Sequence, residues 1–252
     1  MHALIRTART TGLLYLGLAV SGGLGFLLVR SRLFAPGDPG TTLANLVEHA
    51  SLARAGIAVE LLVVVTQALT AAWFYRLFRT ADPLAASGIA AFGLVNAIAI
   101  LISAATLATA AQLALDPVGD AAVTVHLLYL VSENLWNVGG LFFGLWLIPM
   151  GSCVLRSGWM PRPLGWILVG GGLGYLLSAF LRYLAPDAQV LADALVLPAT
   201  IGEFWMIGYL LIRGQRGPVP SGRRPPSATP GPVQEGEQSV TVVDHGIRDD
   251  LG

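Results

Sequence analysis

Six long apolar runs occupy most of the 252-residue chain, and arginines stand at the ends of these runs. A helix of about 20 apolar residues crosses the ~30 Å hydrocarbon layer of a bilayer. Within that layer every backbone polar group needs a partner inside the protein, which helices supply and open strands do not. The pattern therefore predicts an all-α membrane protein, a bundle of six transmembrane helices at residues 11–29, 55–78, 84–113, 123–155, 163–184 and 192–212.

Composition supports a bilayer environment. The chain is 54% hydrophobic and only 12% charged, whereas soluble domains carry about 25% charged residues. Its net charge of zero gives no case for nucleic acid as a partner. The single cysteine, Cys153, excludes an intrachain disulfide. Arg6 and Arg9 precede the first apolar run as in a signal peptide, but no clear cleavage site follows, so we interpret this run as an uncleaved span.

The arginines also predict the orientation of the chain. Loops on the cytoplasmic side of a membrane carry an excess of basic residues. Ten arginines flank one set of helix ends and four flank the other, which places both termini in the cytoplasm (N-in/C-in). All basic residues are arginine, which suits a GC-rich bacterial genome, so we expect a bacterial plasma membrane. The cytoplasmic set is Arg6, Arg9, Arg76, Arg79, Arg156, Arg162, Arg213, Arg216, Arg223 and Arg224, and the outer set is Arg30, Arg32, Arg54 and Arg182.

Two segments lie outside the spans. Residues 35–40 form a turn cluster, after which Thr41 or Thr42 is expected to cap a short helix that leads towards the second span. Residues 214–252 are rich in Pro, Gly, Ser and charge, and we expect a disordered cytoplasmic tail there.

Small residues recur at intervals of four in two spans. Gly140 and Gly144 form one such pair, and Gly170 and Gly174 form another. Faces of this kind let helix backbones approach closely in a membrane. We therefore expect these glycines to serve helix packing, with a gating hinge as the alternative.

Three carboxylates lie within or beside the spans: Glu60, Glu133 and Glu203. A charge at bilayer depth is costly, so such residues face the bundle interior or water. Counted from the arginine at the inner end of each helix, Glu203 lies about 15 Å deep, Glu60 about 24 Å and Glu133 about 35 Å. This series from the midplane to the outer surface predicts a polar cleft that opens outwards.

The fourth span adds further polar groups to that cleft. His126, Glu133 and Asn137 are spaced by seven and four residues and so share one helix face. Such a stripe could bind a cation, relay a proton or hold a polar ligand. Alternatively it is an interhelical hydrogen-bond seam, worth about 0.6 kcal/mol per contact.

The outer arginines are candidates for ion pairs. Arg30, Arg54 and Arg182 lie about 28–33 Å from the inner ends of their helices, at the level of Glu133. A Glu133–Arg182 pair is one hypothesis. His126 and Glu133 stand two turns apart, too far for one metal ion without another ligand, so we predict no metal and no cofactor.

Several stretches resemble a known family. Residues 142–151 (Phe-Phe-Gly-Leu-Trp-Leu-Ile-Pro-Met-Gly) and 156–165 (Arg-Ser-Gly-Trp-Met-Pro-Arg-Pro-Leu-Gly) are similar to the signature of a bacterial membrane family catalogued as domain of unknown function 4386. The opening residues 8–16 and the Ile-Gly-Glu at 201–203 are similar too, and the resemblance covers residues 6–214. It implies a six-helix membrane protein without an assigned activity and supplies no catalytic residues.

These observations leave three function hypotheses open. The first is a small transporter or ligand-binding protein with an outward polar cleft. The second is a non-catalytic scaffold or sensor component that binds a protein partner through helix faces and the tail. The third is an intramembrane enzyme, which ranks last because no nucleophile or metal set is evident. The lipid bilayer is the one partner that the sequence itself indicates, and the oligomeric state stays open.

Overall fold

The computed structural model describes residues 2–213, and all the regular secondary structure in that range is helical, with no strand. Six of its helices are long and apolar enough to cross a membrane, which confirms the all-α, six-span prediction. The predicted tail at 214–252 lies outside the described residues. In chain order the helices are α1 (His2–Gly23), α2 (Ser31–Leu33), α3 (Pro39–Glu48), α4 (Ala50–Phe78), α5 (Pro83–Leu115), α6 (Ala121–Ser157), α7 (Arg162–Leu184) and α8 (Gln189–Ile212).

The first span is not a uniform helix. After α1 the chain continues through a π-helical segment, Leu24–Arg30, into the short α2. The π segment and the helices on either side of it form one candidate span, Ile5–Leu33. The wider π turn is uncommon and often accompanies functional sites.

Aspartates begin three of the helices. Asp38, Asp82 and Asp120 each accept a hydrogen bond from the backbone N–H three residues later, at 2.9, 3.0 and 3.2 Å. This side-chain acceptor satisfies one of the N–H groups that a helix start leaves without a partner. The expectation that Thr41 or Thr42 caps α3 is wrong, because Asp38 caps it. The hydrogen bonds from Thr41 hold the pKa of Asp38 below its usual value.

The spanning helices pack in chain order around a common interior. Each helix from α4 to α8 contacts the next, and α1 contacts both α4 and α8, which closes the bundle. Helix α3 lies across one end and packs on α6 and α5. We call this the α3 end, and we call the opposite end, which carries Arg79 and Arg156, the arginine-rich end.

Glycines set the closest helix approaches. A Cβ on Gly144 would lie 2.7 Å from the carbonyl oxygen of Gly172, so α6 and α7 touch through their backbones there. A Cβ on Gly174 would overlap the carbonyl oxygen of Leu195 in α8. A Cβ on Gly140 or Gly170 would meet no atom within 4 Å in the part of the chain that the structure describes. One glycine of each predicted pair therefore serves packing, and the other faces open space.

Candidate functional site

A cavity of about 450 Å³ lies among α1, α4, α6, α7 and α8. Its wall is mainly apolar and aromatic, with Trp136, Phe143 and Tyr175 on one side. Glu203 on α8 is the only charged residue among those that line it. We call it the Glu203 cavity. A carboxylate in an apolar, aromatic chamber is able to hold a ligand that carries a complementary polar or charged group.

Tyr15 positions the carboxylate. Its hydroxyl donates to Glu203 Oε1 at 2.5 Å across 188 residues of sequence. The ring of Tyr15 is buried and packs edge-on against Phe74, with ring centroids 5.3 Å apart. The ring of Trp146 also packs against the Tyr15 ring, with the two centroids 6.0 Å apart. Because these rings restrict the orientation of the Tyr15 ring, its hydrogen bond also restricts the position of Glu203 Oε1.

The Glu203 cavity opens between α1 and α8. At the arginine-rich end the two helices touch, since a Cβ on Gly12 would lie 3.0 Å from Leu210. Near the middle of the span, Cβ atoms on Gly22 and Gly23 would meet no atom of the described residues within 4 Å. Two residues that line the cavity, Leu27 and Phe204, are 68% and 60% exposed. The helices therefore diverge towards the α3 end and leave an apolar gap.

A second, more polar cavity adjoins the first. It measures about 280 Å³ and is lined by Asn137, Ser178, Arg182 and Asp193 among others. Arg182 donates to Asp193 at 2.5 Å. Trp136 and Tyr175 line both cavities, and so form the boundary between them. We call this one the Arg182 cavity.

A buried ion pair stands behind Trp136. Arg30 lies 3.7 Å from Glu60, and both side chains are buried. Trp136 Nε1 donates to Glu60 Oε1 at 3.3 Å. Thus Glu60 does not line the Glu203 cavity but holds one of its walls.

Two serines complete the environment of that pair. Ser103 donates to Glu60 at 2.9 Å and lies 2.7 Å from Ser132, which also accepts a hydrogen bond from Arg30. The chain of contacts joins the first span to α4, α5 and α6. A buried charge pair needs such additional hydrogen bonds to offset the desolvation of its ions.

The structure brings together some of the predicted site residues and separates others. Asn137 and Arg182 share one cavity, and Glu203 lines its neighbour. Glu60 reaches both only through Trp136. The three glutamates therefore do not line a single cleft.

The remaining candidates lie elsewhere. His126 is buried under α3, 3.4 Å from the Thr42 hydroxyl and with its ring centroid 5.2 Å from that of Phe34. Glu133 is half-buried and within electrostatic range of Arg30, and it lines neither cavity.

Two of the outer arginines also differ from expectation. Arg54 is exposed. The suggested Glu133–Arg182 pair is not formed, because Arg182 bonds to Asp193 on the adjoining helix, eleven residues further along the chain. Asp193 is also closer to Arg182 in the sequence than Glu133 is.

Sequence reasoning also missed the residues that complete the site. Aromatic residues are common in membrane helices, and no motif around Tyr15, Trp136 or Tyr175 indicates that these side chains share a cavity with a carboxylate. Their joint role appears only when five helices are placed together.

Comparison with curated proteins and with solved structures finds no match. The family model described as domain of unknown function DUF4386 matches residues 10–214. The matched range contains both cavities and the buried ion pair. It confirms the resemblance seen in the sequence: the chain belongs to the DUF4386 family.

Proposed function

We propose that this protein binds a small ligand within the membrane, as a small transporter or binding protein, and that Glu203 is the binding carboxylate. What carries the proposal is a carboxylate that lines a cavity of about 450 Å³ and is held by a buried tyrosine. Ligand pockets commonly measure about 300–1,000 Å³ and present a few fixed polar groups in an apolar wall. An ionisable residue at this depth is costly, which favours a functional role.

In this proposal the Arg182 cavity joins the site to the outer solution. We place both termini in the cytoplasm and the α3 end outside, in the plasma membrane of a bacterium. On that orientation Asn137 and Arg182 lie on the aqueous side of the site. Trp136 and Tyr175, which border both cavities, lie between these two residues and Glu203.

The proposed site is smaller than the set of residues that the sequence suggested. Glu203, Asn137 and Arg182 would face the ligand. Arg30 and Glu60 would act through Trp136. His126, Glu133 and Arg54 lie outside the two cavities, and we assign them to packing and to the outer surface.

Replacement of Glu203 tests the proposal. Native protein and Glu203→Gln are purified, and their melting temperatures are measured against a panel of amines, amino acids, sugars and carboxylic acids. In parallel, both are reconstituted in vesicles with an internal pH-sensitive dye to follow proton movement. We expect at least one class to raise the native melting temperature by several degrees, with an affinity at least ten-fold weaker in the variant.

A matched control is Glu48→Gln, which removes an exposed carboxylate on α3 and should behave as the native protein does. The proposal is overturned if no ligand class shifts the native melting temperature and proton movement equals that of empty vesicles. Equal ligand response in Glu203→Gln and the native protein would also overturn it.

A further inference from the structure

We infer that the ligand of the Glu203 cavity is an amphipathic organic cation that enters sideways from the bilayer, through the gap between α1 and α8. The inference rests on the proposed function and adds the ligand class and the route. Three independent features of the cavity support it: its charge, its aromatic wall and its opening.

The charge of the cavity favours a cation. Among the described residues that line it, Glu203 carries the only carboxyl group, and none is an arginine or histidine that could attract an anion. Glu203 Oε1 accepts a hydrogen bond from the Tyr15 hydroxyl, and Glu203 lines the cavity. A carboxylate in an apolar site is stabilised by an opposite charge, so it suits an organic cation.

The aromatic wall favours the same ligand. Tyr15, Trp136, Phe143 and Tyr175 all line the cavity, and the last two stack with ring centroids 5.9 Å apart. The face of an aromatic ring attracts a cation, and rings arranged around a site are a known means of binding quaternary ammonium groups. The negative faces of the same rings repel an anion.

The opening favours a ligand with an apolar tail. Leu27 and Phe204 border the gap and are largely exposed, and Gly22 and Gly23 line it without a side chain of their own. In a bilayer an apolar rim of this kind faces acyl chains rather than water. A molecule that already partitions into the membrane can therefore leave its tail among Leu27 and Phe204 while its head reaches Glu203.

The Arg182 cavity provides the contrast. It is lined by an arginine, an aspartate, an asparagine and a serine, and therefore suits water-soluble groups. A cation that arrived only from the aqueous side would pass this polar region first and would have no use for the apolar gap. The two routes make different predictions for a ligand without a tail.

Binding of dodecyltrimethylammonium is the direct test. The full chain is placed in phosphatidylcholine nanodiscs, and the radiolabelled probe is titrated below the concentration at which it dissolves the disc. We expect saturable binding of one probe per chain. Tetramethylammonium, which lacks the tail, and dodecanol, which lacks the charge, should each compete at least ten-fold more weakly.

Three variants locate the probe. Glu203→Gln should weaken binding at least ten-fold, since it removes the charge. Gly22→Leu should weaken it similarly, because the new side chain fills the gap. Gly170→Leu is the matched control, since Gly170 also faces open space but does not line the cavity. Melting temperatures of each variant establish that it folds, and the competition on native protein needs no variant.

The outcomes separate this inference from the proposed function. If tetramethylammonium binds as well as the tailed probe and Gly22→Leu has no effect, a water-soluble cation is the ligand, and only the lateral route is overturned. If no cation binds but another class of the earlier panel depends on Glu203, the ligand class is overturned and the proposed function stands. Probe binding that is unchanged in Glu203→Gln shows adsorption to lipid alone and overturns the inference.

Discussion

Two glutamates within the membrane-spanning helices are held in different ways. Glu60 has Arg30 as counter-ion and two further donors, Ser103 and Trp136. Glu203 has a neutral phenol at one oxygen and a cavity beside it. In a medium of low dielectric constant a charge is stable only when it is paired and hydrogen-bonded. Glu60 is therefore paired within the protein, whereas in the proposed function a ligand supplies the partner of Glu203.

The ion pair predicts a large asymmetry between single and double replacement. Glu60→Leu removes the Glu60 counter-ion of the buried Arg30 and should lower the free energy of unfolding by about 3–5 kcal/mol. Arg30→Met combined with Glu60→Leu removes both charges and should recover most of that loss. Denaturant titration in detergent micelles, followed by circular dichroism, measures each value.

The surface pair serves as the control for this prediction. Arg182 and Asp193 are 32% and 68% exposed, and exposed ion pairs contribute about 0–1 kcal/mol. Asp193→Asn should therefore cost no more than about 1 kcal/mol. A Glu60→Leu cost as small as that of Asp193→Asn would contradict a buried, structurally required pair.

At the scale of elements, α7 stands between two close neighbours. Gly172 meets the backbone of α6, and Gly174 meets the backbone of α8. Dispersion contacts and close backbone approach supply much of helix association in lipid, where the hydrophobic effect between helices is absent. The glycine-rich face therefore determines how closely α6 and α8 lie to α7, and with them the walls of both cavities.

Two glycines of α7 give a prediction of opposite sign. Gly174→Ala would place a Cβ against the Leu195 carbonyl oxygen and should destabilise the protein by about 1–3 kcal/mol. Gly170→Ala adds a Cβ in open space and should be neutral or slightly stabilising, since alanine favours a helix by about 1 kcal/mol over glycine. Melting temperatures in one detergent compare the two. Equal effects would show that α7 and α8 do not touch at Gly174.

The π-helical segment of the first span is the other informative element. It runs from Leu24 to Arg30 and so includes Leu27, at the gap, and Arg30, in the buried ion pair. The π-helical segment therefore connects the opening of the Glu203 cavity to the Arg30–Glu60 ion pair, to which Trp136 donates a hydrogen bond. A regular α-helix would rotate these two side chains relative to each other.

At the scale of the whole molecule, the bundle is closed by α1 against α8 at the arginine-rich end and parted at the α3 end. If the positive-inside rule holds, the parted end faces outwards. The orientation thus decides whether the cavities are reached from outside the cell or from the cytoplasm.

Cysteine accessibility tests the orientation. In a Cys153→Ala background, Val118→Cys places a thiol in the loop before α6, and Thr80→Cys places one in the loop before α5; both positions are exposed. A membrane-impermeant maleimide should label Val118→Cys in intact bacteria and Thr80→Cys only after lysis. The reverse pattern would invert the proposed topology, and labelling of both in intact cells would refute six crossings.

The number of spans and the all-α class could be predicted from the order of the amino acids. Both follow from local constraints: the thickness of the hydrocarbon layer sets the length of an apolar run, and the need to satisfy backbone groups requires a helix. The resemblance to the family was also readable, because its motif at 142–165 is contiguous in the chain. The depths of Glu60 and Glu203 along their helices required only the rise per residue.

Which of these residues meet depends on how the helices are placed in the bundle. Spacing specifies which side chains share a face of one helix, but not which way that face turns in the bundle or which helix lies opposite. Hence His126 and Asn137 belong to one predicted stripe but lie in different parts of the bundle, His126 beside Thr42 and Asn137 at the Arg182 cavity. Tyr15 and Glu203, in contrast, meet across 188 residues of sequence. The site exists because the rotation and separation of five helices, set by glycine contacts and buried pairing, leave one carboxylate facing a cavity.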